Sequence, residues 1–202
     1  MEFTDVVRAW IHLGEMERDY PSLNKARREF FKSRGIDPVP ASTGIGGNPV
    51  SDSHDLSLGI YAVKATNAPQ RTVMTSPTLN EAGEYGADFV RGMKMEEANK
   101  IALHVSGTAS IDEEGRTAHI GDFEAQVDRM LVNVSALLER QAASIADIVS
   151  AITYLKHPAD AVRFREKLHE AGFEGFPNVM VVAEVYRPDL LCETEVLALL
   201  PR

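Results

Sequence analysis

The sequence predicts a mixed α/β (α+β) fold in which strands and amphipathic helices form an internal repeat. Three observations carry that expectation. Short runs alternate apolar and polar residues with the period of a strand, as where Ala9, Ile11 and Leu13 oppose Arg8, Trp10 and His12. Between Asp122, a capping residue, and Ala142 the residues Phe123, Val127, Met130, Leu131, Val134, Leu137 and Leu138 form one broad helical stripe. Finally, Asp147-Ile-Val-Ser-Ala-Ile-Thr-Tyr-Leu155 matches Asp5-Val-Val-Arg-Ala-Trp-Ile-His-Leu13 in its acidic start and apolar pattern.

In chain order, Phe3 to Leu13 reads as a strand entered from a short turn. Tyr20, Leu23, Ala26, Phe30 and Phe31 then share one face of a helix over residues 20–33, stopped by Gly35. A Pro/Gly/Ser-rich stretch from Asp37 to Asp55 follows. Within it Ala41-Ser-Thr-Gly-Ile-Gly-Gly47 lacks the Lys-Ser/Thr ending of a phosphate loop and reads as a tight turn or pocket wall. Leu56 to Val63 is a strand and Ala65 to Ser76 a polar connector, after which Tyr85 to Met95 is a strand placing Phe89 and Arg91 on one face.

Ile101 to Ser110 is the next strand, where Gly107 marks a bulge or a close backbone approach. Asp112-Glu-Glu-Gly115 turns the chain toward the helix of residues 122–142. The repeated strand 147–155 is followed by a helix ended by Gly172 and a strand from Asn178 to Tyr186. The copies close on Asp55 to Val63 and Asp189 to Leu197, which sets Leu58 or Gly59 against Glu193.

Composition bounds the function. With 202 residues, 44% apolar and 25% charged, the chain can bury a core. No apolar run approaches the roughly 20 residues of a membrane span, and the charged first twenty residues do not form a secretory segment. The expectation is a cytoplasmic protein with no membrane partner. The single cysteine, Cys192, forms no intrachain disulfide and reads as a small hydrophobe. Six histidines without ligand spacing and no dinucleotide fingerprint give an expectation of no metal and no cofactor. The net charge of -9 argues against nucleic acid, so an anionic substrate requires a local cluster of arginines.

The C-terminal run Pro188 to Leu200 reads as a long strand with Glu193 and Glu195 on one face. Either that face is solvated at a sheet edge, or one carboxyl lines a pocket. In a pocket, burial and its like-charged neighbour would keep it protonated near neutral pH and able to act as an acid.

Val105-Ser-Gly-Thr-Ala109, Gly121-Asp122, Gln126, Asn133, Phe176-Pro177 and Glu193-Thr-Glu195 resemble the YjgF/RidA superfamily. The resemblance implies a chorismate-mutase-like fold, a mixed β-sheet packed against two helices, usually assembled as homotrimers with clefts between subunits. In its imine deaminases an arginine precedes the penultimate strand; here that place holds Val179 or Met180. A resemblance to the chorismatase subgroup extends over Arg8 to Leu13, Asn24 to Phe31, Pro40 to Gly46, Ser76-Pro77, Ser106 to Ile111, His119 to Asp122 and Tyr186 to Leu191. Those enzymes carry two YjgF-like units and hydrolyse the enol ether of chorismate, releasing pyruvate.

On that resemblance residues 1–65 form a partial N-terminal unit, beginning at its third element, and residues 66–202 a complete domain. Enol ethers hydrolyse when an acid protonates the vinyl carbon, and Glu193 is the expected acid, with Glu195 beside it. Chorismate is a dicarboxylate, which suits guanidinium clamps: Arg91, Arg187 and Arg163 or Arg165 are the candidates, with Tyr85 as a hydrogen-bond donor. The expected partners are a small anionic metabolite and copies of the same chain, a trimer being favoured. The alternatives are a 2-imino-acid deaminase and a non-catalytic small-ligand-binding protein. Endoribonuclease activity, attached to the superfamily by name, finds no support in so acidic a chain.

Overall fold

The computed structural model describes residues 1–47, 54–64, 70–173, 175 and 177–202; the side chain of Tyr85 lies outside the description. In the first part of the chain β1 (Val6–Leu13) leads into α1 (Met16–Arg34), then β2 (Ala41–Gly46) and β3 (Leu56–Ala62). Next come β4 (Gln70–Met74), β5 (Gly92–Glu96), β6 (Lys100–Ala109) and α2 (Phe123–Glu139). The chain closes with β7 (Ile148–Leu155), α3 (Asp160–Glu170), β8 (Asn178–Val182), β9 (Glu184–Val185) and β10 (Cys192–Pro201). Among the described residues the strands form two mixed sheets, ordered β3-β1-β2-β9 and β4-β5-β6-β10-β7-β8. No described helix is long and apolar enough to cross a membrane.

The repeat read in the sequence recurs in the strand pairing. β1 runs parallel to β2 and antiparallel to β3, as β7 runs parallel to β8 and antiparallel to β10, with α1 and α3 as the crossovers. Each copy is entered from a short 3₁₀ turn closed by a capping box, Glu2 with Asp5 and Ser144 with Asp147. The register corrects one alignment: His12 faces Ser57 as Tyr154 faces Glu193, so Ser57, and not Leu58 or Gly59, stands at the place of Glu193.

α2 packs its stripe on the six-stranded sheet. Phe123, Val127 and Met130 meet Phe164 of α3, Leu155 and Cys192, while Val134, Leu137 and Leu138 meet Leu103, Val105 and Val196. Truncating a wholly buried side chain such as Leu137 to alanine costs about 2–5 kcal/mol. In the first sheet α1 covers Ile11 and Leu13 of β1, and β3 stays largely exposed among the described residues. Phe3, Leu23, Phe30, Leu58 and Ile60 line an apolar groove there, with Leu58 61% and Ile60 52% exposed.

Several elements differ from the sequence expectation. α1 starts at Met16, a turn before Tyr20, and ends as expected where Gly35 takes the left-handed conformation (φ 61). Residues 41–46 form β2 and not a tight turn, while the pocket-wall reading holds, since Ser42 and Gly44 line a cleft with Glu193; the small residues hide a strand whose backbone lies close to β6. Part of the polar connector is β4, paired to β5. Residues 85–91 are not a strand: Ala82–Tyr85 is a 3₁₀ turn, and Gly86 at φ 83 redirects the chain. The expected strand from Asn178 to Tyr186 is divided, β8 pairing with β7 and β9 with β2, so that this segment passes from one sheet to the other.

Candidate active site

β10 lies between β6 and β7, with Glu193 paired to Ala109 on one side and Tyr154 on the other. Thr194 opposes Thr108 but Val196 opposes Val105, so β6 carries one extra residue around Ser106 and Gly107. The bulge and the close approach expected at Gly107 are both present. A β-carbon there would stand 1.9 Å from Glu193 Oε1. The absent side chain is thus the space into which the carboxyl folds.

Glu193 is 9% exposed and lines a cleft with Arg91, Arg187, Phe89, Tyr20 and Tyr186. The rings of Tyr20 and Tyr186 lie with centroids 4.0 Å apart at the cleft. Burial, then the charge of Glu195, push the Glu193 carboxyl up to about 8, against the opposing charges of Arg8 and Arg91. It therefore holds its proton at neutral pH. Burial also raises the thiol of Cys192, leaving it a packed, inert group.

Glu195 is buried behind this cleft. Its Oε2 accepts from Arg8 Nη2 at 2.7 Å and its Oε1 from Trp10 Nε1 at 2.7 Å. Arg8 also donates to Thr43 Oγ1, which accepts the backbone N–H of Gly107 at 3.0 Å. Burial and the charges of Glu195 and Glu193 together push the phenol of Tyr154 up, so it stays a neutral donor beside them.

The expected arginines separate. Arg91 is buried, with Nε donating to Asn80 O at 2.8 Å and Nη2 to Asn80 Oδ1 at 3.0 Å, and its guanidinium lies 5.7 Å from the Phe89 ring centroid. Arg187 lines the same cleft, with Nη1 donating to Gly115 O at 2.7 Å. Arg163 does not join them: it pairs with Glu124 and Asp160 between α2 and α3. Arg165 is likewise exposed on α3. The Tyr85 side chain and Phe176 lie outside the described residues. On β8, Val179 is exposed and Met180 packs against the core formed by Phe123 and Phe164, in the place where the imine deaminases carry arginine. Among the described residues no three of His, Cys, Asp and Glu group to hold a metal ion.

Sequence reasoning did not single out Arg8, Trp10, Tyr20 or Tyr186 as site residues, and it reached Ser42 and Thr43 only as part of a turn or pocket wall. The signal for Arg8 was the same as for the glutamates, a charge inside the apolar run Val6-Val-Arg-Ala-Trp-Ile11.

The model of a known family, Endoribonuclease L-PSP, matches residues 81–200. The chain belongs to the Endoribonuclease L-PSP family. A RutC family protein of Pyrococcus abyssi is 35% identical over 98 residues, 48% of this chain and 76% of that protein. A 3-hydroxybenzoate synthase of Streptomyces hygroscopicus is 27% identical over 224 residues, covering 96% of this chain and 63% of that one. Among solved structures a chorismatase superposes with a TM-score of 0.80 at 22% identity, over 96% of this chain and 64% of that chain. A RidA protein of Psychrobacter gives 0.54 at 18% identity, over 64% of this chain and 99% of that one. This family member therefore has the YjgF/RidA fold in its chorismatase-like form, and it spans less than two thirds of the chorismatase and of the synthase.

Proposed function

We propose that this chain hydrolyses the enol ether of chorismate or a related small carboxylate, releasing pyruvate, with Glu193 as the general acid. The observation that carries the reading is a buried carboxyl, ionising at about 8, that faces a cleft flanked by Arg91 and Arg187. The likeness to a chorismatase and to a 3-hydroxybenzoate synthase supports it.

Glu193 passes its proton to the terminal vinyl carbon, and the ether carbon becomes an oxocarbenium ion. Water adds there, and the hemiketal collapses to pyruvate and the ring alcohol. The proton lost from the attacking water restores Glu193. Arg91 and Arg187 orient the substrate carboxylates by paired, charge-assisted hydrogen bonds. Tyr20, Phe89 and Tyr186 wall the cleft with ring faces that shield the cation from bulk solvent while the one attacking water is admitted. In this reading residues 1–65 wall the cleft and residues 66–202 carry the acid. Exposed Val179, Val181 and Val182 on the edge strand β8 support assembly as a homo-oligomer.

Incubation with chorismate, with pyruvate measured enzymatically, tests the proposal. Release by the wild type and its loss in Glu193→Gln are expected. Equal release by both proteins, or a chorismate-induced rise in melting temperature without release, defeats the hydrolase reading.

A further inference from the structure

Arg8 is 2% exposed in an apolar strand. Its Nη2 binds Glu195 Oε2 at 2.7 Å and Thr43 Oγ1, and its guanidinium lies 5.1 Å from the centroid of the Trp10 ring, whose Nε1 holds the other oxygen of Glu195. Thr43 Oγ1 is the acceptor for the N–H of Gly107, the residue under the Glu193 carboxyl. Nη1 of Arg8 is nevertheless buried with no hydrogen-bond partner among the described residues. An unmet buried donor costs on the order of 1–3 kcal/mol, and apolar residues often replace a buried ion pair without loss. Stability alone does not account for this arginine.

We propose that Arg8 is a positioning residue for the acid: held between Glu195 and Thr43, it fixes the neighbouring carboxylate and the Gly107 backbone that together seat Glu193 in the cleft. The inference rests on the reading of Glu193 as the acid, and it gives the first repeat a task. Arg8, Trp10 and Thr43 all belong to that repeat, whose own strand carries Ser57 at the place of Glu193. Glu193 is faced by Arg8 from β1, Arg91 from the segment before β5, Tyr154 from β7 and Glu195 from β10, while its strand neighbour Cys192 points to the opposite face under α2. Arg187, Tyr20 and Tyr186 line the cleft it opens on. Among these groups Glu195 is the other carboxylate, and Arg8 is the cation that binds it.

Carbon-13 NMR of protein labelled at its glutamate carboxyls reads the ionisation of Glu193 without any substrate, the signal being identified by its loss in Glu193→Gln. Arg8→Met removes the cation that stabilises both carboxylates, so the midpoint of Glu193 is expected to rise by about one pH unit or more. Glu195→Gln removes the like charge, and the midpoint is expected to fall by a comparable amount. The double variant Arg8→Met/Glu195→Gln removes both charges and is expected between them.

An unmoved midpoint or a fall in Arg8→Met overturns the proposal. Should Arg8→Met not fold, a double variant whose midpoint equals that of Glu195→Gln overturns it as well, and one lying higher supports it. The expected shifts in a protein that does not cleave chorismate leave the positioning role standing and sink the substrate. Cleavage with unmoved midpoints does the reverse.

Discussion

Glu193 Oε1 occupies the space in which Gly107 would carry a side chain, 1.9 Å from where its β-carbon would be. This pairing of a carboxyl with a bare backbone is what lets the acid bury itself between β6 and the cleft. Gly107→Ala is therefore expected to push Glu193 out of its seat. Pyruvate release should fall by about a hundredfold or more, the usual loss when a general acid is misplaced. The melting temperature should fall too, and activity assays with thermal denaturation check both.

Because the acid works protonated, kcat/KM for chorismate should be level through neutral pH and decline above about 8, where Glu193 ionises. The limb should fall with unit slope. Initial-rate measurements across pH 6 to about 10 check this expectation, and Glu195→Gln should move the limb to lower pH, since the charge of Glu195 raises Glu193.

Stability should carry the same signature. The folded Glu193 carboxyl ionises at about 8 and the unfolded one near 4.5, so between those values the folded state holds the extra proton. Stability from this residue is fully present below the unfolded value and is lost as pH rises through the folded one, at about 1.4 kcal/mol per pH unit across the window. Glu193→Gln should accordingly match the wild type near the lower limit and be the more stable protein above the upper one. Urea denaturation at the two ends of the window checks the sign.

Two of the arginines named by sequence, Arg91 and Arg163, should behave oppositely. Arg91→Lys loses the fork that holds Asn80 and points into the cleft, and kcat/KM is expected to fall by at least about tenfold. Arg163→Ala removes a half-exposed pairing with Glu124 and Asp160, and should leave kinetics unchanged with under about 1 kcal/mol of stability lost. Steady-state kinetics and denaturant titration of the two variants separate them.

The repeat, the helical stripe from Phe123 and the strand from Cys192 were legible because each follows a single period over many residues. β2 was not, since Ser42, Thr43 and Gly44 are small for contact with the other sheet and leave no apolar alternation. The division of β8 from β9 was hidden as well: Ala183 continues the alternation while the chain changes sheets. At the site, two carboxylates in an apolar strand pointed to Glu193, yet the cation for Glu195 came from a strand more than 180 residues earlier, a relation that only folding creates. Arg163 looked equivalent to Arg187 in sequence because both sit near a functional strand; the helix turns the first outward.

The most direct measurement is chorismate turnover in deuterium oxide, with the pyruvate methyl group read by mass spectrometry before it exchanges. Protonation of the vinyl carbon by Glu193, whose proton equilibrates with solvent, requires one deuterium in each pyruvate methyl, and no pyruvate from Glu193→Gln. Pyruvate free of deuterium, or formed equally well without the carboxyl, would contradict the account.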